Sequence, residues 1–119
     1  MEDKKKLLIL GASGFIGKNL SNFFSKKYKV YGTYLRNKPK LNKKIILKKV
    51  NIFNPKQLDR IMKNKDIVIN AAAITSGAKD IVHKPYIHFT DNALINSISI
   101  RSAFYNNVKN YVCLSCSII

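Results

Sequence analysis

Leu7-Leu8-Ile9-Leu10-Gly11-Ala12-Ser13-Gly14-Phe15-Ile16-Gly17 is the stretch on which the fold turns. Four consecutive apolar residues run into three glycines at three-residue spacing, and an amphipathic segment follows. That is the layout of a strand, a tight turn and a helix whose N-terminus can hold a pyrophosphate. Gly11 makes the turn, Gly14 lets backbone approach phosphate, and Gly17 lets the helix lie close to the sheet. A Walker-type phosphate loop would need glycine at Ala12 and serine or threonine at Asn19 beside Gly17-Lys18, and it fails at both positions.

Working outward, the helix after the turn is expected to run to about Lys27, with Phe15, Ile16, Leu20, Phe23 and Phe24 on its apolar face. Lys29-Val30-Tyr31-Gly32-Thr33-Tyr34 reads as a second strand and Ile45-Ile46-Leu47-Lys48-Lys49-Val50 as a third. Asn54-Pro55-Lys56-Gln57 is a helix start, with Asn as cap, Pro in the first turn and Gln three residues after the cap. Leu58, Ile61 and Met62 give that helix its buried face. Asp66-Ile67-Val68-Ile69-Asn70 is a fourth strand that runs into Ala71-Ala72-Ala73. Pro85 precedes a long helix whose expected face includes Ile87, Asp91, Leu94, Ile95, Ile98, Arg101, Ser102 and Tyr105, and Tyr111 to Ser115 forms a fifth strand. Alternating strands and helices with short connections predict an α/β open parallel sheet of about five strands, with helices on both faces.

In such a sheet the residue after the second strand faces the adenosine ribose. A carboxylate there would repel a 2′-phosphate, and here Leu35-Arg36-Asn37 carries none. Arg36 can pair with a 2′-phosphate, which favours NADP over NAD; it reads equally as a solvated loop arginine, which leaves NAD open.

The bulk properties set limits. The chain has 119 residues, 46% of them hydrophobic, enough for one domain. No apolar run approaches the ~18–20 residues that cross a bilayer. Met1-Glu2-Asp3-Lys4-Lys5-Lys6 leads straight towards a strand with no signal-peptide apolar core, so a soluble cytoplasmic protein is expected. Cys113 and Cys116 have redox or zinc spacing, but His83 and His88 are the only histidines, and Cys113 in mid-strand is expected to pack as a small apolar residue. The net charge of +16 raises the question of nucleic acid. Lysine far outnumbers arginine and is spread along the chain together with Asn and Ile, which is a compositional bias and not a phosphate-tracking surface. Weak polyanion binding at low salt is expected, without specific nucleic-acid recognition.

Four sites together resemble a family: Gly11-x-x-Gly14-x-x-Gly17, Asn51-Ile52, Asn70-Ala71-Ala72-Ala73 and Leu114-Ser115-Cys116-Ser117. They are similar to the extended short-chain dehydrogenase/reductases, the NAD(P)-dependent epimerases and dehydratases of nucleotide sugars. Residues 71–117 look most like the GDP-L-fucose synthase branch, through Pro85, Asp91-Asn92 opening a helix, and Val108-Lys109-Asn110 before the fifth strand. The resemblance implies a Rossmann-like fold in which amides at Ser13, Gly14, Phe15 and Ile16 contact the pyrophosphate. It puts Asn51-Ile52 beside the adenine, although relatives usually carry Asp where Asn51 stands. It also implies that Ala71, Ala72 and Ala73 border the nicotinamide-side ribose and that Asn92 approaches the cofactor; Asn92 reads equally as a helix cap.

The family's catalysis uses a Ser or Thr after the fifth strand and a later Tyr-x-x-x-Lys. The hydroxyl position falls on Cys116, or on Ser117 with a one-residue shift, and a thiol is a poor donor there. Tyr-x-x-x-Lys spacing occurs only at Tyr34–Lys38 and Tyr105–Lys109, neither of which follows the fifth strand. The chain is therefore expected to be the N-terminal cofactor portion of a longer, nucleotide-sugar-binding enzyme, a homodimer at full length, and inactive alone. The competing classes are a noncatalytic dinucleotide sensor or scaffold, or an inactive truncated product.

Overall fold

The structure, a computed structural model, describes residues 4–72 and 85–114, with residues 85–92 described through their backbone. Its elements are β1 (Lys6–Leu10), α1 (Phe15–Phe24), β2 (Lys29–Tyr34), β3 (Ile46–Lys49), α2 (Pro55–Met62), β4 (Ile67–Asn70), α3 (Pro85–Tyr105) and β5 (Asn110–Cys113). The five strands form one parallel sheet in the order β3-β2-β1-β4-β5, the expected Rossmann-like α/β arrangement. The chain turns from one side of β1 to the other between β3 and β4. This switch point leaves a crevice at the carboxyl ends of the strands.

β1 is apolar without alternation because both of its faces are covered. Leu8 and Leu10 pack with Val68 under Leu58, Ile61 and Met62 of α2 and Ala103 of α3. Leu7 and Ile9 pack with Val30 and Ile69 on the opposite face, under Leu20 and Phe24 of α1. Leu7, Leu8, Ile9 and Leu10 are all buried, and each contributes about 1.5–3 kcal/mol over an exposed position. Asp66 sets the register at the amino edge: its carboxylate accepts from Lys6 N at 2.9 Å, and its own N–H donates to Lys6 O at 2.9 Å. The residue expected to open the fourth strand is therefore a clamp before it.

Three expectations about faces need correction. In α1 only Leu20 and Phe24 reach the core, while Phe15 is 83% exposed and Ile16 and Phe23 also face outward. The buried positions are Gly17 and Ser21, because the helix lies so close to β1 that only small side chains fit between them. The Ser21 hydroxyl is satisfied by donating to Gly17 O at 2.7 Å. α1 ends at Phe24, so Lys26 and Lys27 fall in the turn beyond it. In α3 the inward face is Ile95, Ile98, Ser99, Ser102 and Ala103, and Leu94, Arg101 and Tyr105 are exposed. Cys113 is exposed as well, since it stands on the outermost described strand.

α2 begins as expected. Asn54 Oδ1 accepts from Lys56 N and Gln57 N at 3.1 and 3.3 Å. The Gln57 side chain, however, passes Asn54 and accepts from Asn51 N at 2.8 Å.

Candidate functional site

The crevice is built from backbone. Gly11 has φ +81°, in the left-handed region, and a Cβ on it would come within 2.6 Å of Ala72 Cα. No other residue type fits there without moving the end of β4. Thr33 of β2 holds the turn down: its Oγ1 accepts from Gly11 N at 3.0 Å, and its carbonyl accepts from Ala12 N at 2.8 Å. Gly14 N donates back to Gly11 O at 3.3 Å and so closes the loop. Gly14 is then the N-cap of α1 and supplies no side-chain acceptor, so the first-turn amides of Phe15, Ile16 and Gly17 have no intrahelical partner. They carry the positive end of the helix dipole.

Against this loop lies a cleft of about 220 Å³ whose walls include Gly11, Ser13, Gly14, Asn51, Ile52, Ala71 and Ala72. The fold therefore brings together residues from three separated stretches that were expected to share one ligand. Asn51 is fixed from two sides: Gln57 accepts from its N–H, and its Oδ1 accepts from Phe53 N at 3.1 Å. One lone pair of that oxygen and the side-chain NH₂ remain for a ligand. Tyr34, Leu35, Val50, Phe53 and Ile95 also line the cleft and were not singled out from the sequence. The signal for Val50 and Phe53 was their position beside Asn51-Ile52; Ile95 lies far off in the chain and had none.

A second depression of about 590 Å³ meets the first at Ser13 and Leu35 and holds Lys18, Arg36, Lys38 and Lys40. Arg36 thus stands beside the glycine-loop cleft, with three further cations around it. Among the described residues no carboxylate lines either depression.

Asn70, the last residue of β4, organises the far wall. It is buried, its Oδ1 accepts from Ala72 N at 3.1 Å, and its NH₂ donates to Asn96 Oδ1 at 2.7 Å and to the Tyr111 hydroxyl at 3.2 Å. One side chain therefore ties β4, α3 and β5 together and bends the chain over the cleft. The Cys113 thiol joins the network, donating to Asn96 Oδ1 at 3.0 Å. Burial pushes the Tyr111 phenol above its ordinary pKa, against a smaller lowering from Asn70 and Ser99. The Ser99 hydroxyl faces the phenol but makes no hydrogen bond of full geometry. The sequence reading named the alanines after Asn70 as site residues and missed Asn70 as their anchor.

Ala73, Cys116 and Ser117 lie outside the described residues, and so does the side chain of Asn92. Position 92 itself is inside α3, which starts at Pro85, so it is not the helix cap. Tyr34–Lys38 stands in the loop after β2 and Tyr105–Lys109 at the end of α3. No helix among the described residues is long and apolar enough to cross a membrane, and no cluster of His, Cys, Asp and Glu among them can hold a metal.

Among solved structures the chain is similar to the epimerase Mth375 of Methanothermobacter thermautotrophicus, with 25% identity and a TM-score of 0.80 over 97% of this chain and 36% of that one. It is also similar to the UDP-N-acetylglucosamine 4-epimerase of Methanobrevibacter ruminantium M1, in complex with UDP-N-acetylmuramic acid: 24% identity, TM-score 0.74, 93% of this chain and 37% of that one. The enzyme WbmH of Bordetella bronchiseptica, in complex with NAD⁺, shares the fold at 21% identity and TM-score 0.72 over 91% of this chain and 38% of that one. The chain thus spans less than two-fifths of the length of each of these three structures. No curated protein sequence matches it. Residues 7–119, from the first buried strand through the glycine loop to the end of the chain, match the NAD dependent epimerase/dehydratase family, and to that family the chain belongs.

Proposed function

We propose that this chain is the NAD(P)-binding portion of a nucleotide-sugar epimerase, dehydratase or reductase, and that it prefers NADP. The observation that carries the reading is the glycine loop. Its unpartnered first-turn amides open on a cleft walled by Asn51-Ile52 and Ala71-Ala72. The residues fit the cofactor: the donors are backbone N–H groups, no carboxylate among the described residues lines the cleft, and a Cβ on Gly14 would meet only Gly11 O, at 3.7 Å. Ser13, Phe15 and Ile16 bind the pyrophosphate through their amides, Gly14, whose N–H is given to Gly11 O, lets the phosphate approach the backbone, and Gly17 allows the helix to stand where it does. Asn51 and Ile52 hold the adenine, and Arg36 with Lys18 and its neighbours takes the ribose phosphate. Ala71, Ala72 and Ala73 leave room for the nicotinamide-side ribose, and Asn92 approaches from the helix. When bound, the nicotinamide exchanges a hydride with the sugar.

One neighbour among solved structures is a UDP-N-acetylglucosamine 4-epimerase in complex with UDP-N-acetylmuramic acid, and residues 71–117 resemble the GDP-L-fucose synthase branch. We place the substrate among nucleotide sugars, with Cys116 or Ser117 orienting its reacting oxygen and a homodimer as the assembly of the whole protein. Calorimetric titration of the folded chain with NADPH and NAD⁺ tests the reading. Saturable binding with NADPH tighter supports it, and folded protein that binds neither refutes it.

A further inference from the structure

A third cleft, of about 740 Å³, lies on the α2 side of the sheet, where β2 and β3 meet the end of α2. Lys48 enters it from the end of β3, Arg60 from α2 and Lys65 from the turn before β4, over a floor that includes Tyr31 and Ile61; the Lys49 side chain, one residue on, points to the opposite face with Leu47. Three cations share the cleft and, among the described residues, no carboxylate lines it. The two acidic residues nearest in sequence are already engaged: Asp59 accepts from Ser102 Oγ at 2.5 Å, and Asp66 accepts from Lys6 N at 2.9 Å. Arg60 has a structural reason to be here, since it complements the carboxyl end of the α2 dipole. Neither lysine serves a helix end.

Lys65 is the clearest case. It is half-buried, with its ammonium 4.2 Å over the Tyr31 ring and donating to Lys63 O at 3.2 Å, while Lys29 approaches the same ring at 5.7 Å. Burial, and repulsion by Lys6 and Lys29, lower its pKa. A folded chain that gathers like charges over an apolar floor raises its own electrostatic energy. A multiply charged anion seated there would relieve it, because the low-dielectric wall strengthens each attraction.

We propose that this cleft is a second anion site, distinct from the glycine loop, that takes a compact polyphosphate group. The concave shape favours such a ligand over nucleic acid, which needs an extended track of cations with exposed stacking aromatics. The cleft shares Leu35, Val50 and Asn51 with the crevice beside the glycine loop, so an anion seated in it touches the back of the adenine wall. The site does not depend on what the glycine loop binds.

Inorganic tripolyphosphate is the probe, titrated calorimetrically into the folded chain at about 150 mM salt, where diffuse surface attraction is screened. We expect saturable binding at a single site of the cleft. Lys48→Ala/Arg60→Ala, two exposed positions, should weaken it by about tenfold or more, the loss expected when charge-assisted contacts are removed. Lys18→Ala/Arg36→Ala, in the depression beside the glycine loop, should change it less than about threefold. Equal losses in both pairs would mean diffuse attraction and overturn the proposal. Loss in the second pair alone would place the anion on the glycine loop and overturn it too, as would the absence of saturable binding.

Discussion

Replacing Gly14 by alanine separates a glycine turn that only shapes the chain from one built for a phosphate. Gly14 has φ −77° and ψ 168°, a conformation open to any residue, and a Cβ on it would meet only Gly11 O, at 3.7 Å. The fold therefore does not need glycine here. The substitution should leave stability unchanged or raise it by about 0.4–1 kcal/mol, because alanine restricts the unfolded chain. Gly17 is the control. A Cβ there would collide with the backbone oxygen of Gly11 and come within 2.9 Å of Ala12 Cα, so Gly17→Ala pushes α1 off the sheet. For Gly14→Ala the cost falls on the ligand: the methyl group occupies the space over the first-turn amides and holds a pyrophosphate away from them. Losing one charge-assisted hydrogen bond costs about 1.5–3 kcal/mol, or roughly ten- to a hundredfold in affinity. Urea unfolding reads the first quantity and calorimetric titration with NADPH the second. Gly14→Ala protein that binds NADPH as tightly as wild type would refute the reasoning, and so would a variant that unfolds.

Other substitutions probe the remaining walls. Arg36→Ala should weaken NADPH by about tenfold, the scale of one charge-assisted contact, and leave NADH within about twofold, so an equal loss for both would remove the 2′-phosphate role. Asn70→Ala deletes three hydrogen bonds from a buried site and should cost about 2–4 kcal/mol in urea unfolding. A cost below about 1 kcal/mol would show that Asn70 does not anchor the wall. The Tyr111 phenol is raised by burial, so between its unfolded pKa of about 10 and its higher folded value the folded state binds more protons. Stability from this group is whole below about pH 10 and is lost as pH rises through the folded pKa, and Tyr111→Phe should flatten that decline. An unchanged alkaline slope in the phenylalanine variant would count against it.

The site was legible where it depends on backbone. Gly11, Gly14 and Gly17 with the apolar run before them announced the strand, turn and helix, and Asn54-Pro55 announced α2, because turns and caps are local chemistry. The side of a helix that meets a sheet was not legible when small residues did the packing. Phe15, Ile16 and Phe23 looked like a buried stripe, yet Gly17 and Ser21 lie against β1 and the aromatic rings point outward. Cys113 misled for a related reason: a residue in mid-strand is buried only if something covers it, and β5 is the outermost described strand.

The sequence by itself determined that five short apolar runs alternate with helices and that a pyrophosphate-type loop follows the first. These properties rest on periodicity, capping and glycine spacing, which act over a few residues. Only the tertiary structure decided that Thr33 closes the glycine turn, that Asn70 ties three elements beside it, and that Ile95 reaches the same cleft. The same holds for the gathering of Lys48, Arg60 and Lys65 around one floor. Those contacts join residues far apart in the chain, and the order of strands in the sheet, which no local pattern encodes, is what brings them together.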